Sequence, residues 1–114
     1  MSEATPYIII TTTVDSEEAA QAIRDALLLP RLVACVQACS IQSDFWWQGK
    51  LERANEIRLQ AKAPEDHADA IIAAIEAVHP YEVPEIIITP ILQGHPPYME
   101  WIESETQPSD NEPS

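Results

Sequence analysis

The side chains best suited to chemistry are concentrated in one short stretch, residues 79–85, which reads His-Pro-Tyr-Glu-Val-Pro-Glu. It carries an imidazole, a phenol and two carboxylates, which together can donate and accept hydrogen bonds and protons. Each proline fixes its own φ and keeps the preceding residue out of the α region, so we expect an extended, stiff segment. Such a segment suits a ligand site or a subunit contact, and it equally suits a rigid helix-to-strand connection with solvated polar groups.

Metal binding is one chemistry that the thiols and imidazoles permit. Cys35, Cys39 and His79 are the candidate ligands, while His67 and His95 are expected to be solvated. The sequence does not combine these residues into a recognisable zinc or copper motif, so we do not expect one subunit to hold a preformed site. Copies of one ligand around an oligomer axis remain an alternative, with copper or another divalent cation as the bound ion.

Catalysis has less support in the sequence. His79 with Glu82 or Glu85 could transfer protons, but no nucleophile, glycine-rich phosphate loop or defined substrate pocket accompanies them. We therefore predict that the protein is not an enzyme and that no cofactor is certain.

The charge distribution limits the classes of molecule that the protein can bind. The chain has 114 residues and a formal net charge of -13, and all six of its basic residues lie within the first 62 positions. Nucleic acid and anionic lipid are therefore disfavoured as partners. The apolar run at residues 7–10 is too short for a membrane span or a signal sequence, which predicts a cytoplasmic protein.

The two cysteines, Cys35 and Cys39, lie in a stretch that is predicted to be a strand. Four residues of extended chain would separate them by ~13 Å, whereas a disulfide needs Cα atoms within about 7 Å. We therefore predict two reduced, buried thiols.

The hydrophobic pattern predicts an alternating order of strands and helices. In chain order we expect a strand at 7–13, a helix capped by Asp15 or Ser16 and ended by Pro30, a strand at 32–39 that is covered on both faces, a hairpin with arms 41–47 and 50–63, a helix beginning at Pro64, a strand at 84–91 and a helix at 96–103. This is an α+β, ferredoxin-like βαββαβ order, with an antiparallel sheet, a long β-hairpin and a C-terminal helix. Residues 1–107 are predicted to form one domain, and residues 108–114 a disordered acidic tail.

Three consecutive aromatic residues, Phe45, Trp46 and Trp47, lie near the end of the predicted hairpin. Neighbouring residues of a strand point to opposite faces, so all three cannot enter the core of their own subunit. At least one of them is expected to contact another chain, because a large apolar patch would otherwise face water.

Several separated blocks carry a resemblance to a known family. They are Leu32-Val33-Ala34-Cys35-Val36, Trp47-Gln48-Gly49-Lys50, Glu56 with Lys62, the segment 79–85 and Tyr98-Met99-Glu100-Trp101-Ile102. In this order and spacing they resemble the CutA family of divalent-cation tolerance proteins over roughly residues 6–105. The segments Phe45-Trp46-Trp47 and Gln60-Ala61-Lys62-Ala63 depart from the usual family pattern.

The resemblance implies a ferredoxin-like subunit in a tight homotrimer, whose sheets join through the long hairpin, and a similarity to the trimeric PII signalling proteins. It also implies a link to tolerance of copper and other divalent metals. Two functional classes therefore stay open: metal-ion binding, and a metal-independent carrier or signalling trimer.

A cleft between subunits is the candidate ligand site of such a trimer. Its candidate residues combine charge, hydrogen bonding and aromatic surface, and they are Trp47, Glu56, Lys62, His79, Tyr81, Glu85, Tyr98 and Trp101. In the alternative interpretation, Glu56, Lys62 and Glu85 form ion pairs between subunits, and the aromatic residues only pack.

Overall fold

A computed structural model of the chain describes residues 5–107, so the predicted acidic tail at 108–114 lies outside the described residues, as do residues 1–4. The elements are β1 (Tyr7–Val14), α1 (Glu17–Leu28), β2 (Cys35–Trp47), β3 (Lys50–Pro64), a 3₁₀ turn (Glu65–His67), α2 (Ala68–Val78), β4 (Ile86–Pro90) and α3 (Pro96–Glu105). This order confirms the ferredoxin-like βαββαβ architecture with a C-terminal helix.

The four strands form one antiparallel sheet in the order β2-β3-β1-β4. Side chains alternate between the two faces of a strand, so Ile8 and Ile10 of β1 share a face with Ala63 and Ala61 of β3. These residues form one buried cluster with apolar residues of α1 and α2. The core therefore lies between this face of the sheet and the two helices, as the hydrophobic pattern predicted.

Strand β2 is longer and more exposed than the sequence suggested. It continues without a break from Cys35 to Trp47, and it lies at the edge of the sheet. The prediction that residues 32–39 form a strand covered on both faces is wrong for the subunit, because Gln37, Ala38 and Cys39 are exposed. An apolar stretch predicts that its side chains are buried, but it does not predict whether the same chain or another copy buries them.

The second helix also begins later than predicted. Pro64 is the last residue of β3, where it pairs with Tyr7, and its backbone is extended with φ -64° and ψ 146°. A 3₁₀ turn then leads into α2 at Ala68. The fixed φ of proline is compatible with a helix start and with an extended strand end, and the pairing with β1 selects the strand.

The β2–β3 hairpin turns at Gln48 and Gly49, which have φ of 50° and 81°. A two-residue hairpin turn whose twist matches that of the flanking strands requires positive φ at both of its residues. The aromatic residues before the turn stay exposed in the subunit, with Phe45 at 38%, Trp46 at 73% and Trp47 at 39% exposure.

Helix α3 lies at the end of the sheet where β1 begins and β3 ends. Arg31, in the left-handed conformation that terminates α1 (φ 59°), donates a hydrogen bond of 3.0 Å to the carbonyl of Glu105. Its guanidinium also lies 3.5 Å from the Glu105 carboxylate. Ile102 of α3 is fully buried. These contacts hold α3 against the sheet and determine where its aromatic residues are presented.

Candidate functional site

A hydrogen-bonded network joins β1, β3 and the segment that follows α2. The Tyr81 hydroxyl donates to Oε2 of Glu56 at 2.6 Å, and the Tyr81 backbone N–H donates to Nδ1 of His79 at 3.1 Å. Nε2 of His79 lies 2.9 Å from the carbonyl oxygen of Thr13. We call Thr13, Glu56, His79 and Tyr81 the Glu56 network. Within residues 79–85 these hydrogen bonds fix His79 and Tyr81, whereas Glu82 and Glu85 are exposed.

The partners of His79 define its protonation state. A carbonyl can only accept and a backbone N–H can only donate, so Nε2 carries the proton and Nδ1 accepts. Burial lowers the pKa of His79 below its usual value, and this effect outweighs the opposing influence of the Thr13 carbonyl, Asp15 and Glu56. The imidazole is therefore held neutral, with both nitrogen atoms engaged.

Glu56 is the charged centre of the network. Glu56 is only 8% exposed, although the alternation of side chains along β3 places it on the face of the sheet opposite the helices. Burial and the neighbouring Glu56 carboxylate raise the pKa of Tyr81, so the phenol keeps its proton and remains a donor. The phenol therefore donates a short hydrogen bond to a buried carboxyl group.

The chain positions the network through the stiff segment after α2. His79 ends that helix, and its backbone N–H still donates to Ile75 at 2.9 Å. Pro80 and Pro84 each fix their own φ, but the backbone bends at residues 81–83 before it reaches β4, so the predicted extended course is wrong for this part of the segment. The ring of Tyr81 packs edge-on against that of His79, with centroids 4.8 Å apart. Each ring thus limits the motion of the other.

A cavity of about 480 Å³ opens beside Glu56, where α1 begins. Its lining residues come from the start of α1 and from the middle of the hairpin, and they are Asp15, Ser16, Glu17, Ser40, Ile41, Gln42, Asn55, Glu56 and Ile57. Ser16 caps α1, since its Oγ accepts from the Ala19 N–H at 3.1 Å. The cavity combines carboxylates, uncharged polar groups and two isoleucines, and its volume lies in the range of small-molecule sites.

A second group of candidate residues lies at the other end of the sheet. Tyr98 and Trp101 of α3 stack with ring centroids 5.5 Å apart, and the Tyr98 hydroxyl lies 3.8 Å from Sγ of Cys35. Cys35 pairs across the strands with Lys62, whose ammonium donates to Oε1 of Gln37. We call Cys35, Lys62, Tyr98 and Trp101 the aromatic cluster.

One subunit does not bring the predicted cleft residues together. Glu56 and Lys62 are six positions apart on β3, which corresponds to ~20 Å of strand. Trp47 lies at the tip of the hairpin, and Glu85 is exposed just before β4. Sequence reasoning did not find Thr13 or Asp15: Thr13 contributes only a backbone carbonyl, which leaves no signal, whereas Asp15 was recognised as a possible helix cap alone.

Comparison with known proteins gives the family. The family model described as CutA1 divalent ion tolerance protein matches residues 8–105. The chain belongs to this family. Among its relatives are a chloroplastic CutA 1 of Oryza sativa (35% identity over 95% of this chain), CutA of Mus musculus (36% over 87%) and a divalent-cation tolerance protein CutA of Pectobacterium atrosepticum (31% over 85%). The matched part covers 62%, 56% and 89% of these relatives, respectively.

Solved CutA structures share the fold. CutA of Xylella fastidiosa superimposes with a TM-score of 0.87 at 35% identity, covering 90% of this chain and all of the other. The periplasmic divalent cation tolerance protein CutA of Archaeoglobus fulgidus does so with a TM-score of 0.85 at 33% identity, covering 89% of this chain and 99% of the other.

In this CutA family member, none of the helices within residues 5–107 has the length and apolar character needed to cross a membrane.

The proposed metal ligands are dispersed in the CutA subunit. Cys35 and Cys39 are on β2, and His79 uses both ring nitrogens within the Glu56 network. Across residues 5–107, no group of three or more His, Cys, Asp or Glu side chains is arranged to hold a metal ion. A metal site built from these residues would need ligands from more than one copy. The His79 ring would also have to give up its hydrogen bonds to Thr13 and Tyr81.

Two expectations for individual side chains are corrected. Both cysteines are free, as predicted, but Cys39 is exposed and Cys35 only partly buried, because β2 is the edge strand. His67 is partly buried, and its Nδ1 lies 2.8 Å from the Leu32 carbonyl, because the 3₁₀ turn brings it against the end of the α1–β2 connection. His95 is exposed, as predicted.

Proposed function

We propose that this CutA family member is a homotrimeric, metal-independent carrier or signalling protein, similar to PII proteins, that binds a small organic ligand beside Glu56. The observation that carries the proposal is the buried Glu56 carboxylate, which Tyr81 orients next to a cavity of about 480 Å³. A buried charge is costly unless it is paired, and binding sites commonly contain such groups. The proposal includes a cytoplasmic location and the absence of enzymatic activity.

The trimer is proposed from surfaces that one subunit leaves uncovered. Trp46 is 73% exposed and Leu51, which pairs with it across the hairpin, is 64% exposed. Together with Phe45 and Trp47 they form an apolar hairpin tip, which we expect to be buried against another copy. In the trimer that we propose, Trp47 and the aromatic cluster of one copy would lie near the Glu56 network of another. The ligand cleft would then be completed by two subunits.

Divalent-cation binding is the second candidate, and copper is its most specific form. The names of the relatives favour it, and so do the acidic cavity and the net charge of -13. In this version Cys35, Cys39 and His79 of several copies would supply the ligands. A neutral imidazole can bind a metal ion, but a ring nitrogen of His79 becomes available only when its hydrogen bond to Thr13 or Tyr81 is broken.

Native mass spectrometry of the purified full-length protein separates the two candidates. We expect a trimer that retains an organic mass, and that loses added Cu(II) to a competing chelator. A trimer that keeps copper in a fixed stoichiometry against the chelator would contradict the ligand proposal and support metal binding.

The double variant Lys62→Ala, Glu85→Ala tests whether these charges serve the interface. We expect it to stay trimeric, because Lys62 already bonds to Gln37 within its own chain and Glu85 is exposed. A monomer in the same native mass spectrometry measurement would show that the two residues form ion pairs between subunits.

A further inference from the structure

We propose that the cavity beside Glu56 selects a small organic cation, specifically a molecule with a primary ammonium group on a short alkyl chain. This inference rests on the proposed function, because it names the class of ligand for the same site. The first observation is the charge of the lining. Three carboxylates, Asp15, Glu17 and Glu56, face the cavity, and none of its lining residues is basic.

The second observation is the incomplete coordination of Glu56. Its Oε2 accepts from Tyr81, whereas its Oε1 has no hydrogen-bond partner in the described part of the chain and is reached by solvent, so a ligand can reach it too. The residue is nevertheless more than nine-tenths buried, at 8% exposure. A carboxylate in such a place is stabilised by a second strong donor, and an ammonium group supplies both the charge and the hydrogen bonds.

The neighbouring charges select against anions. Glu17 is neutralised by Arg24, whose guanidinium lies 2.6 Å from its carboxylate. Asp15 and Glu56 have no basic partner in residues 5–107, so they leave an uncompensated negative charge at the cavity. The start of α1 offers an anion little, because Ser16 already caps it and the acidic side chain of Glu17 occupies its first turn.

The remaining lining residues fit an alkyl chain with a polar end. Ile41 and Ile57 offer apolar contact, while Ser40, Gln42 and Asn55 offer oxygen acceptors for a second donor group. A metal ion fits less well, because the carboxylates are not arranged as a three-ligand group anywhere in residues 5–107. A cavity of about 480 Å³ is also large for a single ion.

The test compares three linear four-carbon probes: 1,4-diaminobutane, 1,4-butanediol and succinate. Each is titrated into the full-length protein at physiological ionic strength and followed by calorimetry and by amide chemical shifts. We expect only the diamine to bind and to shift the amides of Ser40, Gln42 and Asn55. Glu56→Gln should weaken its binding by about tenfold or more, since the charge is lost while the acceptor for Tyr81 is kept.

Glu76→Gln is the matched control. It removes the same charge from an exposed position on α2, so it lowers the diffuse attraction of a cation to the acidic protein by a similar amount. We expect wild-type affinity for this variant. Circular dichroism of both variants establishes that each has kept the fold.

Three results would overturn the inference. Equal weakening by both variants, or shifts scattered outside the cavity, would show diffuse attraction to the acidic surface. Shifts at the cavity caused by succinate or butanediol would show that the ligand is not a cation, while leaving the proposed ligand site in place. If none of the probes shifts the cavity amides, the ammonium inference fails, and the organic mass retained in native mass spectrometry decides the proposed function separately.

Discussion

The two ends of the sheet use similar residues in different ways. In the Glu56 network, a tyrosine hydroxyl bonds to a buried carboxylate, and each nitrogen atom of His79 has a partner within the subunit. In the aromatic cluster, Tyr98 and Trp101 stack on each other but stay 38% and 40% exposed. The first end is organised by its own chain, whereas the second presents aromatic surface to whatever covers it.

This difference shows how a site can be divided between copies. Buried polar groups must be satisfied locally, because an unpaired charge in the interior is costly. Exposed aromatic groups carry no such requirement, so they are available for burial by a second surface. We therefore expect changes at the Glu56 network to affect the stability of the subunit, and changes at exposed aromatic positions to affect its assembly.

The largest effect is expected at the hairpin tip. Trp46→Glu places a charge at the most exposed aromatic position, and in the proposed trimer this charge would be buried without a partner. We expect a folded monomer by size-exclusion chromatography with light scattering, with the far-ultraviolet circular dichroism unchanged.

Leu29→Glu is the control for this change. Leu29 is also apolar and 78% exposed, but it lies at the end of α1, away from the hairpin. It should stay trimeric. If Trp46→Glu also remained a trimer at micromolar concentration, the hairpin tip would not be the interface.

A smaller effect is expected from removing single hydroxyl groups at the two ends. Tyr81→Phe takes the donor from the buried Glu56 carboxylate and should lower the free energy of unfolding by about 2 kcal/mol. Tyr98→Phe removes only a long contact to Cys35 and should change it by no more than about 0.5 kcal/mol. Urea unfolding at one fixed protein concentration measures both. Equal losses would mean that the two ends do not differ as described.

The smallest effect is a pH dependence from His79. Its pKa is lowered in the folded state by burial, so the unfolded chain binds a proton more readily. The stabilising contribution is complete above the unfolded value near 6.5 and decreases as the pH falls from there towards the folded value. We therefore expect the free energy of unfolding to decrease below about pH 6.5.

Two variants identify the group responsible for this pH dependence. His79→Gln should be less stable at neutral pH and should lose part of the decrease, whereas His95→Gln, at an exposed position, should keep it. Urea unfolding between pH 5 and pH 8 gives the slopes. A wild-type slope in His79→Gln would assign the effect to other groups.

Much of the fold could be predicted because its determinants are local or periodic. The alternation of Ile57, Leu59 and Ala61 predicted which face of β3 meets the core, and Gly49 marked the hairpin turn. The predicted start of α2 was wrong, because the fixed φ of proline permits both a helix start and a strand end. The exposure of β2 could not be predicted either, since its position at the sheet edge depends on the order of all four strands.

The candidate site was predictable only in part. Residues 79–85 stood out because two prolines alternate with an imidazole, a phenol and two carboxylates. The contact of Tyr81 with Glu56 joins residues 25 positions apart, and that of His79 with Thr13 joins residues 66 apart. No local pattern indicates such pairs, and the separation of Lys62 from Glu56 follows from the straight run of β3.

The sequence alone determined the element order, the stiff polar segment, the exposed aromatic hairpin and the family resemblance. These features depend on backbone preferences and on hydrophobic periodicity, which act over a few residues. The tertiary structure decided which polar groups meet: it buried Glu56 under Tyr81, held His79 neutral and placed the aromatic cluster at the other end. The physical reason is that the burial of a charge and the pKa of an imidazole depend on neighbours from distant parts of the chain.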